Sequence, residues 1–131
     1  MILNQKELFS LVNALSLKDL DIIPYRGRNY WIQITENLEP PAWYSTSTLV
    51  DGADIYLDKQ KIPQKFQKPV ILHEIIEADL SIHQNIPLQK AHQLAQEEDR
   101  TYASLFLSST QREEYEKLRE RLEASFGPLG I

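Results

Sequence analysis

The chain has 131 residues, 42% apolar and 25% charged, an ordinary globular composition and enough for one domain with its own hydrophobic core. A formal charge of −5 argues against nucleic acid as the main partner, and the absence of cysteine excludes disulfides, thiolate metal sites and a cysteine nucleophile. No apolar run approaches the roughly 18 residues of a membrane span. The start, Met1-Ile-Leu-Asn-Gln-Lys-Glu-Leu8, lacks the basic region and long apolar run of a signal peptide, so a soluble cytoplasmic protein is expected.

In chain order, Leu8, Leu11, Val12 and Leu15 recur at helical spacing and predict a helix over about 4–15, with Asn4 as its cap. A loop containing Pro24 and Gly27 then leads to a strand at Tyr30–Thr35. Pro40-Pro41 breaks the chain, and the aromatic and β-branched run from Trp43 to Val50 suggests a second short strand. Asp51-Gly52 is a turn signal, and Ala53–Asp58 alternates as a half-buried strand does. The basic run Lys59, Lys61, Lys65 and Lys68 reads as a solvated loop face.

From Lys68 to Leu80 the pattern turns helical, with Pro69 suited to a first turn. His83–Pro87 interrupts it, and a further helix is expected over about 87–106, ended by Ser108-Ser109. Thr110-Gln-Arg-Glu113 has the form of a capping box for a last, largely solvated helix of about 110–125, closed by Gly127-Pro128. The expected fold is α+β: a small antiparallel or mixed sheet, one site-bearing helix, and two or three further helices in a single domain.

The helix from Lys68 concentrates the chemistry. Val70, Ile71, Leu72, Ile75, Ile76, Ala78 and Leu80 make it apolar on nearly every side, so it belongs inside the domain. Yet His73, Glu74 and Glu77 fall in one sector roughly 100° wide, with His73 and Glu77 stacked four residues apart. Buried ionisable groups need partners, and a metal ion would use all three. The next helix repeats the anomaly. Leu88, Ala91, His92, Ala95, Asp99, Tyr102 and Phe106 share one face, while Gln93, Glu97 and Arg100 point away. A short connection favours antiparallel packing, which would carry His92 or Asp99 to His73 and Glu77.

A His/Glu/His ligand set with water in a fourth position is the open form of a catalytic zinc site, although a carboxylate ligand also admits other divalent ions. Each residue also has a plainer reading. A lone helical histidine more often bonds a neighbour than a metal. Asp99 is a ligand, a partner orienting His92, or one half of a buried salt bridge. Asp79 reads as a satisfied buried carboxylate, His83 as structural at a helix end, Glu97 and Glu98 as solvated, and Tyr102 as core.

Ala53-Asp-Ile-Tyr-Leu-Asp58, Ile62-Pro63 and Pro69-Val-Ile-Leu-His-Glu-Ile-Ile-Glu77 together resemble the core of the minimal zincin-like metallopeptidases. The nearer likeness is to small bacterial and phage proteins with His-Glu-x-x-Glu followed by Ala-His-x-x-Ala and an acidic residue, here Ala91-His92-Gln-Leu-Ala95 and Asp99. The likeness spans about residues 53–100. It implies His73 and Glu77 as metal ligands, His92 or Asp99 as the third, and Glu74 as general base, with Glu77 standing where the familiar motif has a second histidine. The ion expected is a divalent transition metal, zinc first.

Three functions compete. A metal-dependent, peptidase-like hydrolase would hold an extended peptide along an edge strand at 53–58. A degenerate zincin-like module would keep the cluster as a structural metal site or hydrogen-bond network and act by binding a protein or peptide partner. A magnesium site for nucleotide hydrolysis built on Glu74, Glu77, Glu98 and Asp99 lacks a phosphate cradle, and Glu98 turns away from Asp99. Oligomeric state stays open, with Trp31, Trp43, Tyr44 and Leu129–Ile131 the candidates for an interface.

Overall fold

Helix α1 (Gln5–Asn13) buries Leu8, Phe9 and Val12, the one face its spacing makes apolar. The computed structural model describes residues 5–17 and 20–126. The expected cap Asn4, the closing Gly127-Pro128 and the tail Leu129–Ile131 lie outside them.

Strands β1 (Leu20–Tyr25) and β2 (Arg28–Thr35) form an antiparallel hairpin in which Tyr25 pairs with Arg28 and Ile23 with Tyr30. The segment read from sequence as a loop is therefore a strand, and both residues that suggested a loop have a place in it. Arg26 and Gly27, at φ 53° and 81°, make the two-residue left-handed turn that matches strand twist. Pro24 is tolerated because β1 is an edge strand, where a missing N–H breaks no inner ladder.

Strand β3 (Ala42–Ser45) is shorter than the 43–50 run suggested. The Ser47 hydroxyl accepts from the N–H groups of Leu49 and Val50, a local turn that competes with the ladder. Strand β4 (Ala53–Asp58) has the expected bounds but not the expected place. The sheet order is β1-β2-β4-β3, so β4 lies inside, parallel to β2 and antiparallel to β3. Both its edges are paired, and the docking of a peptide along 53–58 is ruled out; the free edges belong to β1 and β3. At its start, the Gly52 N–H donates to the Asn29 carbonyl at 2.8 Å. A Cβ there would sit 2.2 Å from that oxygen, so only glycine fits.

Helix α2 (Gln64–Ala78) contacts α1, β3 and β4, and 12 of its 15 residues are buried, as its all-round apolar pattern requires. It begins one turn earlier than expected, so Pro69 lies inside it rather than in its first turn. A π-helical turn (Asp79–His83) continues it. There Asp79 accepts from the Tyr30 hydroxyl at 3.0 Å and from Gln84 Nε2 at 2.6 Å, and pairs with Arg26 Nε at 3.2 Å; it is the satisfied carboxylate expected. His83 donates from Nε2 to the Gly52 carbonyl at 2.7 Å.

Helix α3 (Leu88–Phe106) buries Ala91, His92, Ala95, Asp99, Tyr102 and Ala103, while Leu88 and Phe106 at its ends stay exposed. Tyr102 meets Phe9 edge-on with centroids 5.5 Å apart. Helix α4 (Ser109–Phe126) opens on a capping box two residues before the expected one. Ser108 Oγ accepts from the Gln111 N–H at 3.2 Å, and Gln111 Oε1 accepts from the Ser108 N–H at 3.0 Å. The architecture is α+β with a four-stranded mixed sheet. Among the described residues, no helix is long and apolar enough to cross a membrane.

Candidate metal centre

Where α2 meets α3, His73, Glu77 and His92 come together with each side chain buried. Glu77 Oε1 is the hub. It lies 3.1 Å from His73 Nε2, one turn back on α2, and 2.8 Å from His92 Nδ1 across the helix pair. One potential ligand atom from each residue falls within 4.8 Å of the others.

Asp99, also on α3, is placed differently from His92. Its Oδ2 lies 2.8 Å from His73 Nδ1, the ring nitrogen turned away from Glu77. It holds His73 rather than His92, and sits where a carboxylate fixes the tautomer of a ligating histidine. Glu74 is 2% exposed, with Oε2 4.0 Å from His73 Nε2 and without a hydrogen-bond partner among the described residues.

Three further groups reach the site that sequence reasoning did not place there. Arg119 reaches in from α4, its Nη2 3.3 Å and 3.4 Å from the two ring nitrogens of His73, so the guanidinium lies against the imidazole. Its Nε is 3.9 Å from Asp99 Oδ2. Glu123, one turn on, lies 3.8 Å from His92 Nε2. Tyr44, on the edge strand β3, shares a 2.8 Å hydrogen bond with Ser81 Oγ, and Glu77 and Glu74 add to the burial that pushes its hydroxyl pKa up. The stripe Tyr115, Leu118, Leu122 is the signal that could have found Arg119, because it marks the buried face of a helix otherwise dominated by charge.

Burial sets the electrostatics. It pushes the Glu74 carboxyl up to about 7, helped by the neighbouring Glu77 and opposed by His73. Burial also acts upward on Glu77, but hydrogen bonds from His73 and His92 outweigh it and hold that carboxyl well below the usual range. His73 is drawn upward because Asp99 and Glu77 overcome burial and Arg119. With Glu74, Glu77 and Asp99 all ionised, three carboxylates face one guanidinium, leaving two negative charges in a site almost wholly buried.

The donor set fits a divalent cation on two counts. Two positive charges would cancel that excess. Tetrahedral zinc with bonds of about 2.0–2.2 Å needs ligand atoms roughly 3.4 Å apart, a few tenths of an ångström wider than the two spacings at Glu77. Protonating both His73 and Glu74 would also neutralise the cluster, as a metal-free network. Glu98, proposed for a magnesium site, is only half-buried and belongs to neither arrangement. Compared with models of protein families, with curated proteins and with solved structures, the chain matches none.

Proposed function

We propose that this chain binds a divalent transition metal, zinc first, through His73, Glu77 and His92, and uses it to hydrolyse peptide bonds. The observation that carries the reading is the pairing of that buried His/Glu/His set with the unpartnered Glu74 Oε2 beside it. An ion held there supplies Lewis acidity, polarising a carbonyl and making water acidic near neutral pH. Glu74 is the group positioned to take a proton at Oε2 and return it to a leaving amine, and its raised pKa suits that exchange. Asp99 keeps the proton of His73 on Nδ1, leaving Nε2 to face the ion. The free edge next to the site is β3, whose Tyr44 points toward Glu77 and Ser81, so an extended peptide would pair there.

A second reading has its own observation. His73, Glu77 and His92 are only 0–5% exposed, which suits an ion, or a proton network, that fastens α2 to α3 in a module acting by partner binding. One experiment separates the readings: metal content and peptidase turnover of the wild type, Glu74→Gln, His73→Ala and His92→Ala. About one equivalent of metal in the wild type and Glu74→Gln is expected, lost in both histidine variants, with turnover falling roughly 100-fold or more in Glu74→Gln. Undiminished turnover in Glu74→Gln would remove Glu74 as base. Metal without turnover in the wild type would favour the module.

A further inference from the structure

Helix α4 lies outside the helix pair that forms the triad, yet two of its residues, four apart, each reach one of the two histidines. Arg119 covers the ring of His73, and Glu123 approaches the outer nitrogen of His92. The His92 contact has a chemical direction. His92 turns Nδ1 toward Glu77, so an imidazole ligating through that nitrogen carries its hydrogen on Nε2. Nε2 is buried and has no hydrogen-bond partner among the described residues. A buried donor left in that state is costly, and the carboxylate facing it is Glu123, 3.8 Å away. Gln96, one turn along α3 from His92, donates from Nε2 to Glu123 Oε1 and so steers that oxygen to its place beside the ring.

We infer that Glu123 is a positioning residue of the metal centre: it accepts the Nε2 proton of His92, fixes the tautomer that presents Nδ1 to the ion, and so ties the docking of α4 to metal occupancy. The inference rests on the metal reading above and assigns that site a regulatory element. A small inward movement of Glu123 closes 3.8 Å to hydrogen-bond length, and the only gain from that movement arises when Nε2 bears the proton. Loading the ion therefore tightens α4, and loosening α4 weakens the ion, as reciprocal linkage requires. Glu123 is itself part-exposed, so replacing it leaves the core packing of α4 through Tyr115, Leu118 and Leu122 in place.

The test is zinc affinity, by competition with a chromophoric chelator, for the wild type, Glu123→Ala, Glu123→Gln and the solvent-facing control Glu120→Ala. Amide hydrogen exchange of residues 109–126 with and without zinc accompanies it. Expected are affinity about 10-fold weaker in Glu123→Ala, part of it recovered in Glu123→Gln, whose amide oxygen still accepts, and no change in Glu120→Ala. Zinc should slow exchange in α4 of the wild type but not of Glu123→Ala, while the metal-free melting temperature of that variant falls only by the small amount that loss of the Gln96 bond brings. Equal affinity in the wild type and Glu123→Ala would overturn the assignment, as would an equal loss in Glu120→Ala, which would mean a general charge effect. Zinc bound by no form, wild type included, would instead overturn the metal reading and carry this inference with it.

Discussion

Glu74 and Glu77 differ by three residues on one helix, yet they are pushed in opposite directions, because hydrogen bonds from two histidines outweigh burial at Glu77, while at Glu74 burial and the nearby Glu77 outweigh the pull of His73 and Arg119. The metal-free protein should show this in its stability. Glu74 moves from 4.5 to about 7, so the folded state holds that proton more tightly than the unfolded chain does. The stability it contributes is complete below about pH 4.5 and is lost as pH rises through 7. Thermal melts in chelator should therefore fall between pH 5 and 7.5 for the wild type, with a flatter profile for Glu74→Gln. A parallel slope in the variant would assign the titration to another group. At this scale much of the site was legible: a histidine and two glutamates on an otherwise apolar helix have no inexpensive explanation. Arg119 was not, because an arginine among Arg112, Lys117 and Arg121 looks like solvated charge until the helix is seen to pack.

Among the elements, α2 and β4 were readable because their patterns leave one choice, apolar all round and strict alternation respectively. The hairpin strand β1 was not, since Pro24 and Gly27 are loop residues by type and only the edge position and the left-handed turn reconcile them with a strand. The cap of α4 was misplaced by two residues because Ser108-x-x-Gln111 and Thr110-x-x-Glu113 both have capping form, and the sequence does not rank them. The structure does. Ser108→Ala should cost about 1 kcal/mol in urea unfolding and Thr110→Ala distinctly less. The reverse order would place the cap where the sequence first suggested it.

For the whole molecule, the triad exists only when α2 and the following helix α3 are packed face to face, so ion binding and folding are one equilibrium. Free zinc at 100 times its dissociation constant should stabilise the wild type by about 2.7 kcal/mol and leave His92→Ala unchanged, as read by melting with zinc or with chelator. An equal zinc response in both would place the ion elsewhere. The sheet order carries a different consequence, for the order of events during synthesis. Because β4 fills the gap between β2 and β3, β3 can find no strand beside it until residue 58 has left the ribosome. Until then the emerging chain can close only the β1–β2 hairpin, a local contact, and must hold Trp43 and Tyr44 in an unpaired segment. β4 is thus the keystone of the vectorial assembly: its arrival converts a hairpin and a loose strand into a sheet, and only then is there a surface on which α2 can set down its histidine and two glutamates.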